Sequence, residues 1–509
     1  MITIRALKSK LRKLLKSRYG KLIATASLFL LVVSAWALLS ISPHADTSTT
    51  VSFQAENGTR TGVATVTDGT AAGGSAIRFG AASTATGNVT VNFNQQVMAL
   101  TQKPFSGTIS TYGSDGGSIA RSSKQRTQLG NLGLGFYRIP LQWNGGNIIS
   151  SAGGGPRDIS GDAWVNAVTS FGGLPMIVLG GSEDNNFSPS DAAGMVQHFN
   201  GTNGPKVTYW VIGNEPGNGG MSIATYCTLF NNTVDAMKAV DSSIKVAGPA
   251  WAFFDSNNIR SFLQCAGNKV DIIDYHHYGM GTTYLSNEDA LSQTAVYKSE
   301  VEQTRALIQQ YVPARANQID IQVGEFNWSW RTGNGYQGYG GDDRFYQPVA
   351  TVWTASVAGN IMVAGARAHQ YSDQNGALGI TFEKNADASH FGRTLNDPMP
   401  GFWGMQMFSG GNLFRGFGTS AVQTSTSLQN VEVFASNNPK NIVLINKSPT
   451  STQSATVALN GAASTSASIW QTNKDLPFNA PANIATSAVS GGTVQVSLPP
   501  YSVTTIILN

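Results

Sequence analysis

From about residue 105 the chain alternates short apolar runs with longer stretches of helical pattern, and few folds accept that rhythm. The runs cover residues 107–112, 135–141, 175–179, 207–212, 244–249, 270–275, 319–323 and 365–371. Between them, 191–199 and 226–240 repeat apolar residues at helical spacing. The stretch 299–311 brings Val301, Ala306, Leu307 and Tyr311 near one face. Eight strand–helix steps are the count of an α/β fold closed as a (β/α)8 TIM barrel, here expected over residues 98–420. An open doubly wound sheet is the alternative, but no Gly-x-Gly-x-x-Gly follows the first run.

β texture flanks the barrel on both sides. Strand candidates at 431–435, 441–445, 454–459, 466–471, 493–498 and 503–508 predict a C-terminal β-sandwich over 421–509. Upstream, 51–54, 62–67, 76–79 and 89–93 alternate apolar and polar residues. The segment 46–97 is too short for a core of its own. Its strands are therefore expected to join the C-terminal sandwich, with Val51, Phe53, Val89 and Phe93 buried there.

Charged residues are only 12% of the 509, against about 25% in an average domain, so charge-driven disorder is excluded. The formal net charge of +4 misleads. Residues 1–21 hold eight Lys and Arg and no acid. Of 33 basic residues 25 remain after them, against 29 acidic ones, a net of −4. A mildly acidic body argues against a nucleic-acid partner. Residues 22–41 are twenty positions without a charge, enough to span a bilayer. Behind the basic cytoplasmic segment 1–21, they read as an export signal or an uncleaved membrane anchor. Either way the bulk of the protein is expected at the cell surface or in the extracellular space. Cys227 and Cys265 are the only cysteines. Export permits a disulfide, and two unpaired buried thiols are the equal alternative.

Functional groups of a barrel collect at the C-terminal ends of its strands. The fourth run leads into Trp210-Val-Ile-Gly-Asn-Glu-Pro216, so Asn214 and Glu215 stand where an apolar strand ends. The seventh leads into Val323-Gly-Glu-Phe326 and places Glu325 likewise. A carboxyl group there is costly unless it is used or paired. Strands four and seven face each other across a barrel mouth. Two carboxyl groups so placed can flank a glycosidic bond, one protonating the leaving oxygen and the other attacking the anomeric carbon. Arg138, on the second run, can hold Glu325 ionised, and Tyr278 can donate a hydrogen bond to the same carboxylate. Strand alternation puts His276 and Tyr278 on one face and His277 on the other. Trp143, Trp328 and Trp330 follow strand ends, where an indole can stack on a sugar or pack in the core. Gln370, with His369, Tyr371 and Asp373 on the eighth run, is a further candidate for substrate contact. No metal and no cofactor is expected. The two adjacent histidines point to opposite faces, and no His-Glu-x-x-His is present.

These residues resemble the retaining glycoside hydrolases of clan A. Their hallmark is an Asn-Glu pair at the end of strand four and a Glu at the end of strand seven. The resemblance covers about residues 98–420. It implies Glu215 as acid/base, Glu325 as nucleophile, and Asn214 as partner of the sugar hydroxyl beside the anomeric carbon. Arg138 matches a strand-two Arg of that clan, and His276 with Tyr278 a strand-six His-x-Tyr. Among families that add a β-sandwich, the chain is most similar to the heparanase/β-glucuronidase, arabinofuranosidase and β-xylosidase families. The doubled histidine and the closing Leu498-Pro-Pro-Tyr-Ser502 carry that narrower likeness. The implied activity is hydrolysis of O-glycosidic bonds in oligo- or polysaccharides. The alternative is a non-catalytic cell-surface carbohydrate-binding or adhesion protein on the same barrel, which would need no acid/base pair.

Overall fold

The computed structural model describes residues 63–67, 75–79, 85–111, 118–151, 158–180, 185–201, 204–280, 285–330, 343–373, 378–475 and 477–509. Two short strands, β1 (Val63–Thr67) and β2 (Ser75–Phe79), pair antiparallel in a sheet of their own. They belong to a unit, Met1–Ala81, that is separate from Ala82–Asn509. The larger unit begins with β3 (Ala85–Ala99) and continues into the barrel.

The barrel strands are β4 (Phe105–Ile109), β5 (Phe136–Asn144), β7 (Leu174–Leu179), β8 (Tyr209–Ile212), β9 (Lys245–Trp251), β10 (Ile272–His276), β11 (Asp320–Phe326) and β12 (Arg367–Asp373). Each pairs in parallel with its neighbours in chain order. The β12–β4 and β4–β5 pairings close the ring. A ninth strand, β6 (Asn147–Ser150), returns antiparallel along the end of β5. All eight predicted runs fall on barrel strands, whose residues are almost wholly buried. That is the pattern of a parallel sheet covered on both faces, where apolar runs need not alternate with polar residues.

Helices cover the outside: α1 (Ser123–Leu132), α2 (Gly161–Ser170), α3 (Pro189–Asn200), α4 (Ile223–Val240), α5 (Ser256–Ala266), α6 (Asn287–Ser292), α7 (Val296–Tyr311) and α8 (Pro348–Val363). α9 (Asn385–His390) and α10 (Pro400–Ser409) follow the last barrel strand. Their starts are local chemistry. Ser122, Ser160, Ser188, Ser222 and Ser286 each accept a hydrogen bond from a backbone N–H of the first turn, and Asp255 accepts two. These bonds satisfy donors that have no partner within the helix. α8 is apolar all round and buried from Val349 to Met362, because it lies between the barrel and the C-terminal sheet. Cys227 on α4 and Cys265 on α5 are joined by a disulfide, which settles the open question of their state.

The second sheet has nine strands in the order β18 (Ala482–Ala488), β17 (Ser466–Thr472), β20 (Ser502–Leu508), β15 (Asn441–Asn446), β14 (Val431–Asn437), β13 (Ser420–Thr426), β3, β16 (Gln453–Asn460) and β19 (Thr493–Leu498). It is antiparallel except for the β3–β16 pair. The sheet folds over so that β19 meets β15 and β20, enclosing Val89, Val91, Leu444, Val457, Leu498 and Ile506. This is the β-sandwich appended to the barrel. β3 enters it between β13 and β16, so Val89 and Phe93 are buried as expected.

Of the 46–97 segment, β3 is the part seen to join the sandwich. Among the described residues, β1 and β2 pair with each other in the first unit, and β3 belongs to the second. Val51, Phe53, the basic segment 1–21 and the uncharged segment 22–41 lie outside the described residues. No helix among the described residues is long and apolar enough to cross a membrane.

Candidate active site

The fourth and seventh barrel strands deliver the two carboxyl groups to one place. Glu325 is the sixth of the seven residues of β11, with only 8% of its surface exposed. Glu215 lies three residues past the end of β8, in a turn with unusual backbone. Gly213 has φ 84° and Glu215 has φ 45°. A non-glycine residue at positive φ costs of order 1 kcal/mol, and such strain persists only where surroundings hold it. Two contacts hold it here. The Glu215 N–H donates to the Ala250 carbonyl at 2.9 Å. Asn185 clamps the preceding residue: its Oδ1 accepts from the Asn214 N–H at 2.7 Å and its Nδ2 donates to the Asn214 carbonyl at 2.9 Å. A side chain at Gly213 would press on that same Oδ1.

Arg138, fully buried on β5, ties the site together. Its Nη1 donates to Glu325 Oε1 and to the Gly324 carbonyl, both at 2.8 Å. Its Nη2 lies 3.1 Å from His276 Nε2 and 3.4 Å from Asn214 Oδ1. Tyr278 donates to Glu325 Oε2 at 2.8 Å. Asn218 donates to Glu215 Oε2 at 3.0 Å. His276 Nδ1 lies 2.7 Å from Glu215 Oε1 and 3.6 Å from Glu325 Oε2. A guanidinium only donates, so in neutral His276 Nε2 accepts from Arg138 and Nδ1 carries the hydrogen toward Glu215.

The electrostatics follow from burial and these contacts. Burial pushes the Glu325 carboxyl up, but the charges of His276 and Arg138 and the hydrogen bonds from Arg138 and Tyr278 outweigh it. The group is held below the ordinary carboxylate range. For His276 burial disfavours the charged form, while Glu325 and Glu215 favour it against Arg138, and the balance raises its pKa. Burial and the negative charge of Glu325 push the Tyr278 phenol well above its usual value, so it remains a donor. Oxygens of Glu215 and Glu325 and a nitrogen of His276 come within 4.8 Å of one another. By composition the trio suits a cation, but the Arg138 guanidinium already stands against two of its members.

The structure thus gathers Asn214, Glu215, Arg138, His276, Tyr278 and Glu325 into one hydrogen-bonded cluster. It does not bring the other predicted residues there in the same way. Trp328 is 1% exposed, packed edge-on against Trp353 at 5.6 Å with the Arg344 guanidinium 4.9 Å from its ring. Gln370 is wholly buried and donates to Thr354 Oγ1 at 3.3 Å. Trp143 is half-buried on β5, cross-strand from Ile148. Trp330 is 52% exposed. His277 stacks on Tyr297 and pairs with Glu300 at 2.8 Å, which is the packing role its strand face implied. Sequence reasoning missed Asn185 and Asn218. Both act from loops, where no periodicity marks a residue. The only signal was Asn218 lying three residues beyond Glu215 in a Pro-Gly turn.

No family model and no curated protein sequence matches this chain. Solved structures do. The GH51 arabinofuranosidase from Xanthomonas axonopodis pv. citri shares 15% identity with a TM-score of 0.65, over 83% of this chain and 100% of that one. An α-L-arabinofuranosidase from Thermotoga maritima shares 14% with a TM-score of 0.64, over 82% and 99%. A family 44 xyloglucanase from Paenibacillus polymyxa shares 14% with a TM-score of 0.59, over 84% and 99%. The likeness is one of fold: this chain has the barrel-and-sandwich architecture of these glycoside hydrolases.

Proposed function

We propose that this chain is a retaining glycosidase, hydrolysing O-glycosidic bonds of oligo- or polysaccharides by double displacement. The observation that carries the reading is the approach of the two carboxyl groups, whose oxygens come within 4.8 Å across His276. A separation of about 5–5.5 Å goes with retention, because the second carboxylate must reach the anomeric carbon itself. Inversion needs about 6.5–9.5 Å to admit a water.

Glu325, held ionised by Arg138 and Tyr278, attacks the anomeric carbon. Glu215 gives its proton to the leaving oxygen, and the Glu215 carboxylate then takes a proton from the water that cleaves the glycosyl ester. Asn218 and His276 steer the Glu215 carboxyl group through both steps. Asn214 accepts from Arg138 through Oδ1, which leaves its amide N–H groups to bind a sugar hydroxyl. Arg138 and His276 are fully buried and act on the carboxyl groups instead of the sugar. The fold relatives include arabinofuranosidases, so aryl pentosides are the first substrates to try. A site outside the cytoplasm belongs to the same reading. It rests on the basic segment 1–21, the uncharged segment 22–41 and the Cys227–Cys265 disulfide.

The test is a panel of aryl pentosides, hexosides and uronides. Release of the phenol by the wild-type chain, and its loss in Glu325→Ala, is expected. A carbohydrate that binds without any turnover across the panel would overturn the reading in favour of a binding protein.

A further inference from the structure

Below the carboxyl pair lies a third acid that this scheme leaves unused. Asp274 is two residues before His276 on the same face of β10, and it is fully buried. Its Oδ2 lies 3.9 Å from Nε of Arg138. Neither carboxyl oxygen, nor that Nε, makes a hydrogen bond. Room for the group is built into the next strand. A Cβ at Gly324, the residue before Glu325, would collide with Asp274 Oδ1.

An ionised Asp274 is poorly served here. Arg138 is one cation, and it already makes its short hydrogen bond to Glu325. A second carboxylate without hydrogen bonds in the same dry interior is heavily penalised. A neutral carboxyl group fits better. Gln322 is the cross-strand neighbour of Asp274, and its Nε2 points at Met176 Sδ while its Oε1 is left unpartnered. The other titratable groups facing Asp274 are Arg138 from β5, Glu325 from β11, His276 and Tyr275 from β10 and Tyr226 from α4. Burial, with a smaller push from Glu325, raises the Asp274 pKa against Arg138, His276 and the Gln322 amide.

We propose that Asp274 is a positioning residue, neutral while Glu325 is ionised, which becomes the counter-ion of Arg138 once Glu325 is esterified. The proposal deepens the retaining reading and rests on it. In the glycosylation step a Glu325 oxygen bonds to the anomeric carbon, the bond to the leaving oxygen breaks, and that oxygen takes the Glu215 proton. Arg138 then faces an uncharged ester. Asp274 then releases its proton to solvent, and its carboxylate pairs with the Arg138 guanidinium. Asp274 thus takes the place of Glu325 as the ion-pair partner of Arg138.

Infrared difference spectroscopy on the full-length chain tests this without substrate. Carboxyl-13C aspartate labelling separates aspartate bands from those of glutamate. The wild-type chain at neutral pH is expected to show one isotope-shifted band of a buried, protonated aspartic acid. Glu325→Gln, which removes the charge as esterification does, is expected to lose it. Absence of the band in the wild type, or its persistence in Glu325→Gln, would overturn the proposal. Both outcomes are readable even if the panel of aryl glycosides shows no turnover, so a failure here is distinct from a failure of the glycosidase reading. With an active enzyme, Asp274→Asn adds a kinetic split. kcat/KM on a dinitrophenyl glycoside falls about tenfold, the equivalent of one pKa unit. kcat, limited there by ester hydrolysis, is maintained. An equal fall in both marks a merely structural role and contradicts the proposal.

Discussion

At the residue scale, the site reduces to two carboxyl groups made different by their neighbours. Glu325 receives hydrogen bonds from Arg138 and Tyr278, while Glu215 is held by His276 and Asn218. Glu215→Ala should therefore spare glycosides with good leaving groups far more than those with poor ones, because only the latter need a proton. Rates for a series of aryl glycosides check this, and equal loss across the series would refute the acid/base role. The pH dependence has a defined sign. The folded pKa of Glu325 is depressed, so its ionised form persists as pH falls until that lowered value is passed. Any stability the group contributes is present above its unfolded pKa and is lost through the same acid window. Arg138→Lys loses the Nη1 hydrogen bond, so the acid limb of kcat/KM should move to higher pH. A limb that stays in place would show that Arg138 does not set the charge of Glu325. Six members of this cluster were legible in the sequence because each stands on or next to an apolar strand. Asn185 and Asn218 were not, since their contacts are made by loops. Neither was the burial of Trp328, which depends on Trp353 of a distant helix.

At the element scale, the barrel strands were readable because all eight are buried on both faces and separated by helices, most of them amphipathic. The sandwich was readable where apolar and polar residues alternate, as in Gln453–Asn460, whose side chains turn in and out by turns. Two of its strands were not. Ser420–Thr426 carries Gln, Ser and Thr over its second half, and Ala482–Ala488 is an edge strand with a mostly exposed, weakly apolar sequence. Both are set by their partners, not by their own pattern. The disulfide links adjacent helices α4 and α5, across 38 residues of chain. Replacing Cys227 and Cys265 with Ala should lower unfolding stability by about 2–4 kcal/mol, chiefly by freeing the unfolded chain. Denaturant titration measures it. An unchanged midpoint would mean the cross-link adds nothing to the barrel.

At the scale of the whole molecule, the chain divides at residue 81, not at the start of the barrel. β3 fills a slot between β13 and β16 and buries Val89, Val91 and Phe93, whereas β1 and β2 pair with each other in the first unit. A chain beginning at Ala82 should fold and keep its activity. One beginning at Leu100 should open the sandwich and fail to give soluble protein. Equal behaviour of the two would show that β3 is dispensable. Glu215, just past strand four, and Glu325, on strand seven, bring carboxyl oxygens within 4.8 Å, and the stereochemistry of hydrolysis reports on that spacing. Proton NMR of the first sugar released by the wild-type chain from an aryl glycoside identifies its anomer before mutarotation. The same configuration as the substrate is predicted, and an inverted first product would contradict the account.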